Sequence, residues 1–210
     1  MSVPANRRLY GRGIPVIAAV MLWISPCSSA SAQGEKQVAM PAALSPDLDA
    51  ARAALEKYQD PVLAVHDGYF STVACVEYTK GGEGSMNYVP GGMGVHFLNL
   101  QAIGPTLDPA KPQVLLYEPV GDKLRLVAAE WFVPTNVAGA TRPSIFGHEL
   151  QGPMEGHEPL MPHGMHHYDL HVWLWKENPA GLFKPTNPTL TCAGYGYSLA
   201  EDWPRLVPQH

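Results

Sequence analysis

Two histidines and a glutamate, far apart in a chain of 210 residues, are the side chains best placed to hold a metal ion: His96, Glu130 and His171. Each falls in the middle of a run that reads as a β-strand, where successive side chains point to opposite faces. In GMGVHFL, His96 shares a face with Gly94 and Leu98. In the run from Leu124 to Val133, Glu130 shares a face with Leu124, Leu126, Ala128 and Phe132. In the run from Tyr168, His171 shares a face with Trp173 and Trp175, which would wall a pocket. A carboxylate on so apolar a face needs a partner, because burying an unpaired charge is costly. Two imidazoles and a carboxylate on a rigid sheet make the donor set of a metal centre with open positions. The plainer alternative is a pair of hydrogen-bonded core histidines, with Glu130 paired to Lys123, Arg125 or Arg142. Glu118 is a spare carboxylate on the face of Val114 and Leu116, although Pro119 sets it at a strand end, as a surface turn residue would be.

A second concentration of donors lies nearby. Six of the nine histidines fall between 148 and 171 (His148, His157, His163, His166, His167 and His171), together with Met154, Met161 and Met165. Nitrogen and thioether donors together suit copper, whereas nitrogen with carboxylate suits zinc, iron or manganese. The expected cofactor is therefore a transition metal: zinc, copper or iron. His157 and His167 are the candidates for a further ligand or a catalytic general acid/base. A solvated polar loop, enriched by chance, would look the same. Nucleophilic catalysis has little to stand on. No G-x-S-x-G occurs, and the His-Glu pairs at 148–149 and 157–158 lack the second His of a zinc-protease motif.

The elements that must position these groups follow from local signals. Ser45-Pro46-Asp47 reads as a helix start, with a cap, a first-turn proline and an acid at the positive end of the dipole. Leu48, Ala51, Leu55 and Tyr58 then form one apolar face. Asp60-Pro61 repeats the signal for a short second helix, reaching about Asp67 and stopping at Gly68. Five strands are expected, over 71–78, 93–98, 114–118, 124–133 and 168–175. Val120-Gly121-Asp122-Lys123 makes the third and fourth a hairpin. GGEGSMNYVPGGMG lacks the ending of a phosphate-binding loop, so its glycines serve turns and close backbone approach. Residues 134–167 show no period and read as one long loop. The expectation is an α+β domain over 45–210: N-terminal helices followed by a mainly antiparallel sheet of about five strands with long loops.

The blocks GGMGVHFLN, VLLYEP, LRLVAAEWFVP and HYDLHVWLWKENPAGLF resemble a group of exported bacterial proteins of unknown function. The resemblance implies export and one shared domain from the first helix to Cys192. It implies no activity.

Export is also read from the chain's beginning. Arg7, Arg8 and Arg12 precede an apolar stretch from Ile14 to Ile24, which is too short for a stable membrane helix. Ala30-Ser31-Ala32 offers a cleavage site, so residues 1–32 read as a signal peptide and 33–44 as a disordered lead-in. Arg7-Arg8 hints at twin-arginine export, with Tyr10 and the residue before the pair departing from that pattern. Pro26 before Cys27 argues against a lipoprotein. Without residues 1–32 the chain keeps 11 basic and 19 acidic residues, a net charge of −8. That excludes a nucleic-acid partner and an anionic membrane surface, and leaves a small molecule or a metal ion. Cys75 and Cys192 remain, and in an oxidising periplasmic or secreted setting they would form one disulfide.

Three functions fit. The first is an exported metal-binding domain with a His96/Glu130/His171 site, and a mononuclear metalloenzyme as its catalytic form. The second is a non-catalytic periplasmic copper-binding or metal-handling protein using the His/Met loop 148–167. The third is an exported ligand-binding or structural domain without metal.

Overall fold

The computed structural model describes residues 44–79, 88–156 and 161–200. The expected signal peptide, the expected lead-in before Leu44, the first half of the glycine-rich loop, and His157 lie outside these residues.

The chain opens as the apolar spacing requires. Helix α1 (Pro46–Leu55) buries Leu48, Ala51 and Leu55, and a 3-10 turn over Glu56–Gln59 buries Tyr58. Helix α2 (Pro61–His66) follows, its first turn capped by the Asp60 side chain, which accepts from the Val62 N–H at 2.9 Å. At the start of α1 it is the Ser45 backbone carbonyl that accepts, from the Asp49 N–H at 2.9 Å. Among the described residues no helix is long and apolar enough to cross a membrane.

The sheet differs from the expectation in number. The strands are β1 (Phe70–Tyr78), β2 (Gly91–Leu98), β3 (Val114–Val120), β4 (Lys123–Pro134), β5 (Ser144–Ile145), β6 (His148–Glu149), β7 (Gln151–Met154), β8 (His167–Val172) and β9 (Ser198–Ala200). Helix α3 (Thr135–Ala138) follows β4. Seven strands form one sheet, in the order β7-β8-β4-β3-β2-β1-β9, and β5 and β6 form a separate pair. The protein is mainly β with some helix, and the five expected strands are five of seven. Residues 134–167 carry α3, β5, β6 and β7, not one bare loop. Strands of two to four residues interrupted by Gly and Pro show no period of two, which hides them from pattern reading. Within the main sheet the β1–β9 pair is parallel; the other pairs are antiparallel.

Two registers decide what shares a face. Val120 pairs with Lys123 across the expected hairpin, where Gly121 takes φ +61°. Next to it, Leu116 pairs with Ala128 but Tyr117 pairs with Leu126, so β4 holds one extra residue. This bulge turns Leu126 to the face of Tyr117, away from Glu130, contrary to strict alternation. The Val127 carbonyl at the bulge accepts the Trp175 N–H at 3.1 Å. Strand β8 ends at Val172, short of the expected Trp175, because Leu174 N–H turns back to the Val172 carbonyl and Trp173 N–H goes to Leu182.

One sheet face carries Phe97, Leu115 and Tyr117 and packs the helices, with the Tyr117 hydroxyl donating to the Tyr58 carbonyl at 2.7 Å. Cys75 on β1 is bonded to Cys192, with Cα atoms 5.6 Å apart across 117 residues. In the chain-entropy picture closing so long a loop stabilises by on the order of 4–5 kcal/mol. Two expectations follow. Thiol labelling of unfolded, unreduced protein should find neither Cys75 nor Cys192 reactive. Gly94 takes φ +95°, and a Cβ there would sit 2.4 Å from the Tyr117 carbonyl oxygen, whereas nothing lies within 4 Å of one built on Gly121. Thermal melting should therefore show Gly94→Ala losing more than about 2 kcal/mol and Gly121→Ala about 1 kcal/mol.

Candidate metal centre

Pairing carries the three ligand candidates onto one face. Glu130 on β4 stands directly opposite His171 on β8 and, on its other side, opposite Val114 on β3. Val114 faces Leu98 on β2, and His96 is two residues from Leu98, opposite Leu116. His96, Glu130 and His171 therefore project from the face that turns away from the helices. In a flat sheet, β2 and β8 would lie about 14 Å apart, three strand spacings, further than two imidazoles reach. Yet one donor atom from each of the three residues lies within 4.8 Å of the other two. The sheet is curled, and the three side chains meet over its concave side, above Val114 and Leu116. Ala128, two residues before Glu130 on the same face, keeps a small side chain under the meeting point.

The site is closed to solvent: His96 is 0 % exposed, Glu130 1 % and His171 2 %. Nε2 of His171 lies 3.5 Å from Oε2 of Glu130, an ion-pair distance beyond a good hydrogen bond. Burial would lower the His171 pKa, but the charges of Glu130 and then Asp169 overcome it and raise the pKa above the ordinary histidine value. The ring thus stands between two carboxylates, a place where a proton or a divalent ion could be held. Among the described residues this is the grouping of three or more His, Cys, Asp or Glu donors able to surround one ion.

Two of the cations considered for Glu130, Arg125 and Arg142, have partners of their own. Arg125 is bound to Glu118, and Lys176 also reaches Glu118, at 2.9 Å. Arg142 donates to the Leu150 carbonyl and lies over the Tyr168 ring. Glu118 is accordingly an ion-pair residue at the end of the sheet, not a ligand; burial pushes its pKa up, but Arg125 and Lys176 hold it below the usual value. Trp173 and Trp175 spend their indole N–H groups away from the cluster, on the Lys184 carbonyl at 2.6 Å and on Glu56 at 2.7 Å.

Among the described residues of 148–167, no three His, Cys, Asp or Glu donors surround one point. His148 is exposed, its ring 4.1 Å from that of Phe183. His163 is exposed and His166 half-buried. Met161 packs in the core, Met165 is largely exposed, and Met154 is buried, accepting from the Tyr88 hydroxyl at 3.4 Å.

Two residues escaped the sequence reading. Asp169 lies between His167 and His171 on β8, on their face, and is 1 % exposed. Its Oδ2 is 3.5 Å from Nε2 of His167, and its Oδ1 is 3.8 Å from Nδ1 of His171. Burial pushes its carboxyl pKa up, but the two histidines more than reverse this, and it stays ionised well below the usual carboxylate range. His167, one of the two proposed acid/base residues, thus faces Asp169, with its ring 5.2 Å from Phe132. Tyr88, from the glycine-rich segment, is the second. Its phenol pKa is raised well above the ordinary value, by burial first and then by Asp169, Tyr78 and Glu130, which puts it within electrostatic reach of both buried carboxylates. The spacing His167-x-Asp169-x-His171 was the available signal for Asp169.

A surface groove of about 440 Å³ involves Lys57, Tyr58, Asp67, Tyr69, Asn99 and Lys111. Lys57 lies 2.6 Å from Asp67 within it, Lys111 pairs with Asp108 at 3.7 Å, and the groove holds none of the His/Glu cluster. Comparison with protein-family models, with curated proteins and with solved structures finds no match to this chain.

Proposed function

We propose that this protein is an exported metal-binding domain whose ion is held by His96, Glu130 and His171 on the concave face of the sheet. One observation carries the reading. Three donors of the right chemical kinds, from three different strands and each at most 2 % exposed, have atoms within 4.8 Å of one another. First-shell donors around an ion with bonds near ~2.0–2.2 Å lie about 3–4 Å apart, so a small inward movement of the rings completes the shell. Two neutral nitrogens and one carboxylate favour zinc or iron over a soft copper(I) site, which selects thioethers. Three protein ligands leave at least one position for water or a small molecule, the arrangement of a mononuclear metalloenzyme. The disulfide between Cys75 and Cys192 supports an oxidising compartment, periplasmic or secreted.

Metal analysis of protein purified from its native compartment tests this. About one zinc or iron per chain is expected, and His96→Ala, His171→Ala and Glu130→Gln should each lose most of it while staying folded by circular dichroism. Unchanged stoichiometry in His96→Ala and His171→Ala would sink the strand site and send attention back to residues 148–167.

The pH dependence has a definite sign. The ion displaces a proton from His171, whose pKa is raised. Below that pKa each pH unit should weaken apparent metal affinity by about tenfold, since one proton is released per ion bound; above it the dependence should flatten. Competition titrations with a chromophoric chelator between pH 6 and 9 would read the slope.

A further inference from the structure

His171 stands between two carboxylates, one for each ring nitrogen. Nε2 faces Glu130 Oε2 at 3.5 Å, and Nδ1 faces Asp169 Oδ1 at 3.8 Å. A neutral imidazole has one N–H and one lone pair, and the group beside one nitrogen decides what the other can do. We propose that Asp169 is the positioning residue of the metal site: it accepts the Nδ1–H of His171, and so commits the Nε2 lone pair to the ion shared with Glu130 and His96. The assignment rests on the metal reading above and adds a residue that does not itself touch the ion.

In either tautomer one lone pair faces a carboxylate, but only the Nδ1–H form turns the Nε2 lone pair to the place an ion would share with Glu130. With the proton on Nε2, the Nδ1 lone pair would face the Asp169 carboxylate, two acceptors turned on each other in a buried site. With the proton on Nδ1, the facing acceptors are Nε2 and Glu130, and the ion fits between them. Metal-bound histidines commonly hand their second N–H to a carboxylate in this way, fixing the ring's orientation and raising its basicity. Asp169 is itself fixed. Phe132 is its direct partner across β4–β8, and its second oxygen is turned to His167, whose ring lies against Phe132. The carboxylate is therefore shared between two rings of one strand face and cannot rotate from one without leaving the other. A separation of 3.8 Å is long for a hydrogen bond, but such contacts in metal-free sites tighten when the ring is drawn onto its ligand.

The test reads the proton directly. In side-chain nitrogen NMR of the full chain, at a pH where His171 is neutral, the proton should sit on Nδ1 in the wild-type protein and move to Nε2 in Asp169→Asn, which preserves volume. A purely structural role for Asp169 would not move it. In zinc competition titrations, Asp169→Asn should keep the wild-type stoichiometry but bind about 10–100-fold more weakly. A wild-type ring protonated on Nε2 overturns the proposal without any variant. So does an Asp169→Asn protein, folded by its amide spectrum, with unchanged tautomer and zinc affinity, a result that would leave the metal reading standing. If the wild-type chain takes up no zinc, the metal reading fails by itself, and the tautomer still decides whether Asp169 governs the ring.

Discussion

Two carboxyl groups, Glu130 and Asp169, are carried inside this sheet, and the rest of the concave face is arranged around them. Glu130 and Asp169 are each 1 % exposed. Taking such groups out of water costs several kcal/mol apiece unless charge and hydrogen bonds return it. Here histidines supply the return: His171 lies between the two acids, and His167 stands on the far side of Asp169. Both His171 and Asp169 shift in the directions that strengthen their attraction, although burial opposes each. A proton can satisfy this arrangement, and so can a divalent ion. That interchangeability is the physical basis of the metal reading, and it explains why so polar a cluster is tolerated beside Val114, Leu116 and Phe132.

The two sheet faces divide the work. The face of Phe97, Leu115 and Tyr117 is apolar and sealed by the helices, with aromatic contacts such as Phe97 to Tyr117 at 4.6 Å between ring centres. It supplies the non-directional part of the stability. The opposite face supplies direction: its register, set by antiparallel pairs from β2 to β8, places each donor to within one residue. A one-residue slip would send a ligand to the helix side. The bulge in β4 makes that slip for Leu126 and stops short of Ala128, so Glu130 keeps its place.

Much of this was legible in the residues. Alternation alone puts His96, Glu130 and His171 on interior faces of separate strands, and the elimination of other cysteines pairs Cys75 with Cys192. The hairpin at Gly121 and the helix starts at Pro46 and Pro61 follow from turn and cap chemistry. What stayed hidden was non-local. Nothing in a strand's own sequence says that the sheet curls, yet only the curl lets His96 meet residues two and three strands away. Leu126 was placed on the wrong face because a bulge leaves no mark in an otherwise regular apolar run. Asp169 was passed over because the β8 face was followed forward to Trp173 and Trp175, where the strand no longer continues, and not backward to His167. Tyr88 sits in a glycine-rich stretch whose composition announces turns, not a buried phenol.

The spacing of the three ligands along the chain has a consequence for when an ion can be chosen. His96, Glu130 and His171 are separated by 34 and 41 residues, and β3 stands between the first two strands. All three come together only when β2, β3, β4 and β8 are all paired, and an unfolded chain offers no preformed grip. An ion held by these three residues would therefore be selected where the sheet closes, from the metals present at that place and moment. A chain that folds after transport would sample the metal pool of its destination and not that of its origin. Because pairings so distant in sequence form slowly, the order of β-strand assembly would then act as a filter on which metal is taken up.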